Sequence, residues 1–182
     1  MALPWGAPLA RDDLAEMPED GHRYEIVDGA LLATPSRGYQ HQAAVTELVV
    51  LLHGAIGPEL VVLAAPFDFV VSPNTVLQPD LLVAHRPDVG PRGLEHGIPL
   101  LVVEILSPST RLSDLGTKRL AYQAAGVPAY WVVDPDEPSL TAFRFESGVY
   151  SEETKVVGDT AYQADPLNVE VIPARLIPSA SH

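Results

Sequence analysis

Glu104 stands inside one of the most apolar runs of the sequence, Leu100-Leu-Val-Val-Glu104-Ile-Leu106. So many branched aliphatic residues in succession read as a strand buried on both faces. An ionised carboxylate in such a strand is costly unless a cation, a metal or a proton accompanies it. One strand earlier the pattern repeats, with Pro79-Asp80 opening onto Leu81-Leu-Val-Ala84. An Asp after Pro can serve a turn, but adjacent strands would bring Asp80 and Glu104 onto one ion. Hard oxygen donors of this kind suit magnesium or manganese, with water completing the shell. A cation is available in the helix expected after Glu104. Lys118 lies three residues after Leu115 and four before Tyr122, beside the apolar stripe that should face the sheet. Its aliphatic stem can pack there while the ammonium reaches the strand ends. Arg119 is equally close to that stripe, so periodicity does not choose between them.

The elements that must position these residues are short and punctuated by 18 Pro and 13 Gly. A short helix is expected near Arg11 to Glu16, then a turn from Pro18 to Gly21. Tyr24 to Val27 and Ala30 to Ala33 flank Asp28-Gly29, a strong hairpin signal. A helix follows from about Tyr39 to Ala55, with Val45, Leu48, Val49 and Leu52 as its apolar stripe. Leu60 to Ala64 and Phe67 to Val71, separated by Pro66, are expected as two strands or one bent strand, and further strands at Leu81 to Ala84 and Leu100 to Leu106. The next helix runs from about Leu112 to Ala125, entered at Ser107 to Thr110 and stopped by Gly126. Tyr130 to Val133 and Leu140 to Phe145 read as strands around a turn from Asp134 to Ser139, and Val169 to Ile172 as a last one. This order indicates an α/β or α+β domain spanning 1–182, with less ordered ends at about 1–10 and 174–182.

Composition sets the limits. Hydrophobic residues are 47% and charged residues 19% of the 182 positions, as in a globular protein with a substantial core. The absence of Cys excludes thiolate zinc sites and a cysteine nucleophile. No His pair has the i, i+4 spacing of a helical zinc site, and neither Ser107 nor Ser109 sits in a Gly-x-Ser-x-Gly elbow. Residues 1–17 carry neither a basic n-region nor an apolar h-region, and Leu48 to Ala65 is too interrupted to span a membrane. The expectation is a cytoplasmic protein with no membrane partner. Net charge is −13, which weighs against a broad phosphate-binding surface but not against a local site where metal offsets charge.

Several ordered segments resemble the Uma-two family of the PD-(D/E)XK, restriction-endonuclease-like superfamily. They are Gln78-Pro79-Asp80-Leu-Leu-Val, Val103-Glu104-Ile-Leu-Ser107-Pro-Ser-Thr110, Asp114-Leu-Gly-Thr-Lys118-Arg and Gly126-Val-Pro-Ala-Tyr130-Trp-Val-Val-Asp134-Pro. Tyr24-Glu25-Ile-Val-Asp28-Gly29 and His41-Gln42 resemble its N-terminal half. The resemblance implies a mixed sheet flanked by helices, an N-terminal hairpin, and Asp80 and Glu104 as ligands of Mg2+ or Mn2+. The superfamily's Lys, two residues after the Glu, is replaced here by Leu106, and the family's Lys in the following helix matches Lys118. Glu25 and His41 match family positions with supporting roles. Ala30 and Ala129 stand where the family commonly has Glu. The implied function is a metal-dependent endonuclease hydrolysing phosphodiester bonds of nucleic acid, with DNA favoured over RNA. The alternative is a catalytically divergent nuclease-fold protein acting as a binding or interaction module. A homodimer through exposed Tyr130 and Trp131, or through the terminal strands, is a further expectation.

Overall fold

Alternation of side chains along short buried strands fixes how this protein is layered. The computed structural model describes residues 7–91 and 93–177. Its first strands are β1 (Arg23–Val27), β2 (Ala30–Thr34), β3 (Leu60–Ala64), β4 (Phe69–Ser72) and β5 (Thr75–Leu77). Next come β6 (Leu81–His85), β7 (Val89–Gly90), β8 (Gly93–Leu94) and β9 (Leu101–Ile105). The C-terminal part adds β10 (Ala129–Asp134), β11 (Ser139–Glu146), β12 (Val149–Val157), β13 (Tyr162–Ala164) and β14 (Val169–Val171).

A smaller sheet of shorter strands runs β2-β1-β5-β4-β8-β7 and a larger second sheet β12-β11-β10-β9-β6-β3, while β13 and β14 pair alone. In the second sheet β9 and β10 are parallel, and the 111–124 helical segment makes the crossover that parallel neighbours require. Along β9, Leu101, Val103 and Ile105 face one apolar cluster, while Val102 and the following Leu106 face another. The first cluster is closed by the helix α1 (Tyr39–Ala55), which buries Ala44, Leu48 and Leu52. The second lies under the 111–124 helix and the smaller sheet, with Tyr122, Tyr130, Phe69 and Leu94. The result is a mixed α+β fold with a central sheet covered on both faces.

Most expected elements are present, including the short 3-10 helix Arg11–Glu16 and the hairpin of β1 and β2. Asp28 and Gly29 both take positive φ, 50° and 78°, as a two-residue turn of this hand demands. Gly29 has a second reason to be glycine, since a Cβ there would lie 2.5 Å from that of Pro8. Gly126, at φ 74°, ends the second helix as its spacing predicts.

Other readings need correction. Tyr130 and Trp131 are buried, at 0% and 1% exposure, because β10 is an interior strand covered on both faces. They cannot form a dimer surface. The strand expected at Phe67 begins at Phe69 and belongs to the smaller sheet, away from β3. Leu115 does not join an inward apolar stripe but is 37% exposed, beside the more exposed Leu112 and Leu120. The inward face of that helix carries Asp114, Lys118 and Tyr122. Strands β5, β7, β8, β12 and β13 were not anticipated. The expected looser ends lie partly outside the described residues, at 1–6 and 178–182; 173–176 forms a 3-10 turn with Pro173 and Leu176 buried. No helix among the described residues is long and apolar enough to cross a membrane.

Candidate active site

Asp80 sits where the chain leaves one sheet and enters the other. β5 ends in the smaller sheet at Leu77 and β6 begins in the larger at Leu81. Leu81 pairs with Val103 across antiparallel β6 and β9. Continued by one residue, that register sets Asp80 opposite Glu104, and directly opposed residues project from the same face. Asp80 is 1% exposed and well supplied with donors. Its Oδ1 accepts from Arg23 Nη2 at 2.7 Å, and its Oδ2 accepts from the Ile105 N–H at 2.9 Å and lies 3.0 Å from His41 Nε2. Burial pushes its carboxyl up, but the His41 hydrogen bond and the Arg23, His41 and Lys118 charges outweigh it, leaving Asp80 far below the usual range and firmly ionised.

Glu104 faces the second helix and has the opposite character. Its Oε1 accepts from Tyr122 OH at 2.7 Å and from Lys118 Nζ at 3.1 Å, whereas its buried Oε2 has no hydrogen-bond partner. Burial raises its pKa well above the ordinary value; Lys118 opposes this, while Asp114, Asp80 and Glu25 add to it. Lys118 is itself 1% exposed and also lies 2.9 Å from Glu25 Oε2 and 3.6 Å from Asp114 Oδ1. Burial pulls the lysine down, but Glu104, Glu25 and Asp114 raise it, so it stays protonated. Asp114 is raised by burial, with Lys118 opposing.

Local structure explains these positions. Arg23 and Glu25 are two residues apart on β1 and therefore share a face. Glu25 Oε1 also accepts from the Gln78 N–H at 2.7 Å, tying it to the Asp80 corner. Asp114 and Lys118 bound a π-turn, Asp114–Lys118, set between the helical pieces Arg111–Ser113 and Arg119–Ala124. Tyr130 OH donates to the Asp114 carbonyl at 2.8 Å and anchors that turn to β10. Such π-turns often mark functional positions in helices.

The structure therefore brings Asp80, Glu104, Lys118, Glu25 and His41 together in one network. It also resolves the choice left by periodicity. Arg119 points away and lies over the Phe143 ring, 5.3 Å from its centroid. Leu106 is buried on the Glu104 face of β9. Sequence reasoning overlooked Arg23, Asp114 and Tyr122. Arg23 could have been found from its two-residue spacing to Glu25, and the other two from their spacing of four on either side of Lys118.

A cleft of about 830 Å³ opens above this network. Its walls include Arg11, Arg23, Arg37, His22 and His41 alongside Asp12, Glu19 and Asp68, and Asp80 lies in its lining. Glu25, Glu104 and Lys118 are fully buried behind it. On the same cleft, Arg37 Nη1 donates to Ser107 Oγ at 2.7 Å and to Thr110 Oγ1 at 3.0 Å, which gives the Ser107-Pro-Ser-Thr110 segment a structural role.

A divalent cation can be tested against these residues. Among the described residues no cluster of three or more His, Asp or Glu is arranged to hold a metal. Donor chemistry and charge nevertheless fit one held by Asp80 and Glu104 with water completing its shell, the habit of magnesium. Glu104 Oε2 is an orphaned, buried hard-oxygen donor. Glu25, Asp80, Glu104 and Asp114 face the fixed cations Lys118 and Arg23, so with all carboxylates ionised two negative charges are uncompensated.

A family model described as "Uma2: Putative restriction endonuclease" matches residues 11–173. The chain belongs to this family. A crystal structure of a "putative nuclease belonging to DUF820" from Anabaena variabilis is similar, with TM-score 0.71 and 18% identity over 93% of this chain and 97% of that one. At that identity the likeness establishes the fold alone, and it is the fold that the Uma2 resemblance implies. No curated protein matches the chain.

Proposed function

We propose that this Uma2 protein is a metal-dependent endonuclease that hydrolyses phosphodiester bonds of nucleic acid, with DNA favoured over RNA. The observation that carries this reading is the placing of Asp80 in a cleft lined by Arg11, Arg23 and Arg37, with Glu104 and Lys118 directly behind. The chain has only 11 Lys and Arg against 24 Asp and Glu, and three of those arginines share this cleft with Asp12, Glu19, Asp68 and Asp80. A phosphate would meet the arginines there, with a bound divalent cation offsetting the carboxylates.

Asp80 and Glu104 would hold a magnesium or manganese ion, which supplies Lewis acidity toward phosphate and lowers the pKa of bound water. His41 and the Ile105 N–H fix the Asp80 carboxylate, and Tyr122 fixes Glu104 by Oε1, leaving Oε2 as the free donor. Lys118, held protonated by Glu25 and Glu104, offers fixed positive charge to an oxyanion developing at the phosphorus. Arg37, braced by Ser107 and Thr110, adds fixed positive charge to the cleft wall.

A second reading, a catalytically divergent nuclease-fold protein acting as a binding module, draws on a different observation: Glu104 and Lys118 are sealed from solvent and Arg23 rests on Asp80. Incubating the purified protein with single-stranded DNA, duplex DNA and RNA, in magnesium or manganese, separates the two. Cleavage by the wild type that is absent in Asp80→Ala supports the endonuclease. Equal cleavage by both proteins overturns it, and retained nucleic-acid binding without cleavage favours the binding module.

A further inference from the structure

Arg23 occupies a distinctive place among the donors to Asp80. The Ile105 N–H is backbone within a buried strand, and His41 is a ring held 5% exposed on α1. Arg23 carries a full positive charge on a flexible side chain, is 14% exposed, and lines the cleft. Its guanidinium spans two acceptors, Asp80 Oδ1 at 2.7 Å through Nη2 and the Gln78 carbonyl at 2.6 Å through Nη1. It therefore stands between the cleft and the buried carboxylates, on the oxygen that a cation entering from solvent would need. Lys118 cannot play that part, since it is 1% exposed and enclosed by Glu25, Glu104 and Asp114.

We infer that Arg23 is a resident counter-ion on Asp80 that exchanges with the divalent cation, holding the site closed until metal enters from the cleft. This rests on the metal-site reading above. Charge supports the exchange: a monovalent cation leaves as a divalent one arrives, and Glu104 and Asp114, once ionised, favour the incoming ion. Geometry supports it as well, because Asp80 keeps its His41 and Ile105 partners throughout and so remains oriented.

The test is a calorimetric titration of Mn2+ into the wild type, Arg23→Gln and Arg23→Lys, with Asp80→Asn as a control for the site. Removing a competing unit charge a few ångströms away predicts roughly tenfold tighter binding in Arg23→Gln. Arg23→Lys, which keeps the charge, should stay close to the wild type. A merely structural Arg23 would give weaker binding on removal, so a gain in affinity excludes that role, and the Arg23 Nε–H resonance separates displacement of Arg23 from repulsion by an Arg23 that stays in place. Wild-type binding that is unchanged or weakened in Arg23→Gln overturns the exchange while leaving the metal site standing, provided Asp80→Asn abolishes it. No binding by any of these proteins overturns the metal site and the exchange together. A second readout uses the folded wild type alone: the Arg23 Nε–H resonance, assigned by its loss in Arg23→Lys, should shift when Mg2+ is added. A resonance unmoved at saturating Mg2+ also overturns the exchange.

Discussion

The two faces of β9 differ by a single residue step and obey opposite rules. Toward α1, Leu101, Val103 and Ile105 pack with Leu48, Leu52, Trp131 and Val133, hydrocarbon against hydrocarbon. Toward the second helix, Val102 and Leu106 flank Glu104, which meets Lys118 and Tyr122. Both faces are fully buried. On the first, stability is non-directional and scales with the area removed from water. On the second it depends on each charge keeping its partner, because a buried ion left alone costs far more than a methylene. Equal burial thus yields ordinary packing on one side and a poised set of ionisable groups on the other.

The largest effect expected from breaking this contrast is that of Lys118→Met. It leaves Glu25, Glu104 and Asp114 without their shared cation and should lower stability by about 3–5 kcal/mol at pH 8, the usual cost of breaking a buried pair. The loss should shrink at pH 5, where carboxylates whose pKa is already raised by burial take up protons. Urea unfolding at both pH values measures it, and an identical loss at both would show that the centre is not ionised. Leu101→Ala, on the opposite face of the same strand, should cost about 3 kcal/mol through the cavity it leaves. That loss should be the same at pH 5 and pH 8, since no ionisable group faces the gap.

The apolar face was the more legible of the two. Branched runs at Leu81 to Ala84 and Leu101 to Ile105 announce buried strands, and Leu48 and Leu52 announce the helix over them. The charged face was legible wherever a charge interrupted such a run, as at Asp80 and Glu104. It became obscure where the partner came from a polar stretch. Lys118 and Arg119 have nearly the same periodicity, and only the π-turn at 114–118 and the Tyr130 anchor turn Lys118 inward. Leu115 misled because helix spacing assigns apolar residues to the core, whereas this helix turns Asp114, Lys118 and Tyr122 inward and leaves Leu112, Leu115 and Leu120 exposed. Strand β12 escaped detection for the converse reason. It pairs with β11 at one edge of the sheet and is mostly exposed, so Ser151, Glu152, Glu153 and Lys155 carry no apolar alternation.

A smaller effect, and one of opposite sign, is expected for Glu104→Gln. Glu104 has a folded pKa raised above its ordinary value of 4.5 by burial, with Lys118 opposing. A carboxyl of that kind binds its proton more tightly folded than unfolded, so its contribution is full below about pH 4 and is lost as pH rises through the folded value. Gln keeps the shape and the acceptor for Tyr122 without that penalty. The metal-free variant should match the wild type near pH 4.5 and exceed it by about 1–2 kcal/mol at pH 8. Added Mn2+ should then stabilise the wild type and not the variant. Thermal melts across pH, with and without Mn2+, give both comparisons; a variant less stable than the wild type at pH 8 would mean that Glu104 is a net stabilising ion without metal.

Tyr122→Phe should give the smallest loss of stability. The ring packs beside Tyr130 and Phe69, with centroids 5.3 and 6.4 Å away, and Phe preserves that packing. Only the hydroxyl's bond to Glu104 Oε1 is lost, at 2.7 Å in the intact protein. A bond to a neutral carboxylic acid is worth about 1 kcal/mol, and one to an ionised carboxylate about 1.5–3 kcal/mol. Burial, with Glu104 and Glu25 adding to it, holds the Tyr122 hydroxyl well above its ordinary pKa, so it remains a donor at pH 9. The cost of Tyr122→Phe should therefore begin near 1 kcal/mol at pH 5 and grow as Glu104 ionises. A cost that stays flat from pH 5 to pH 9 would mean that Glu104 keeps its proton throughout, and the charged face of β9 would then be charged only when a metal displaces that proton.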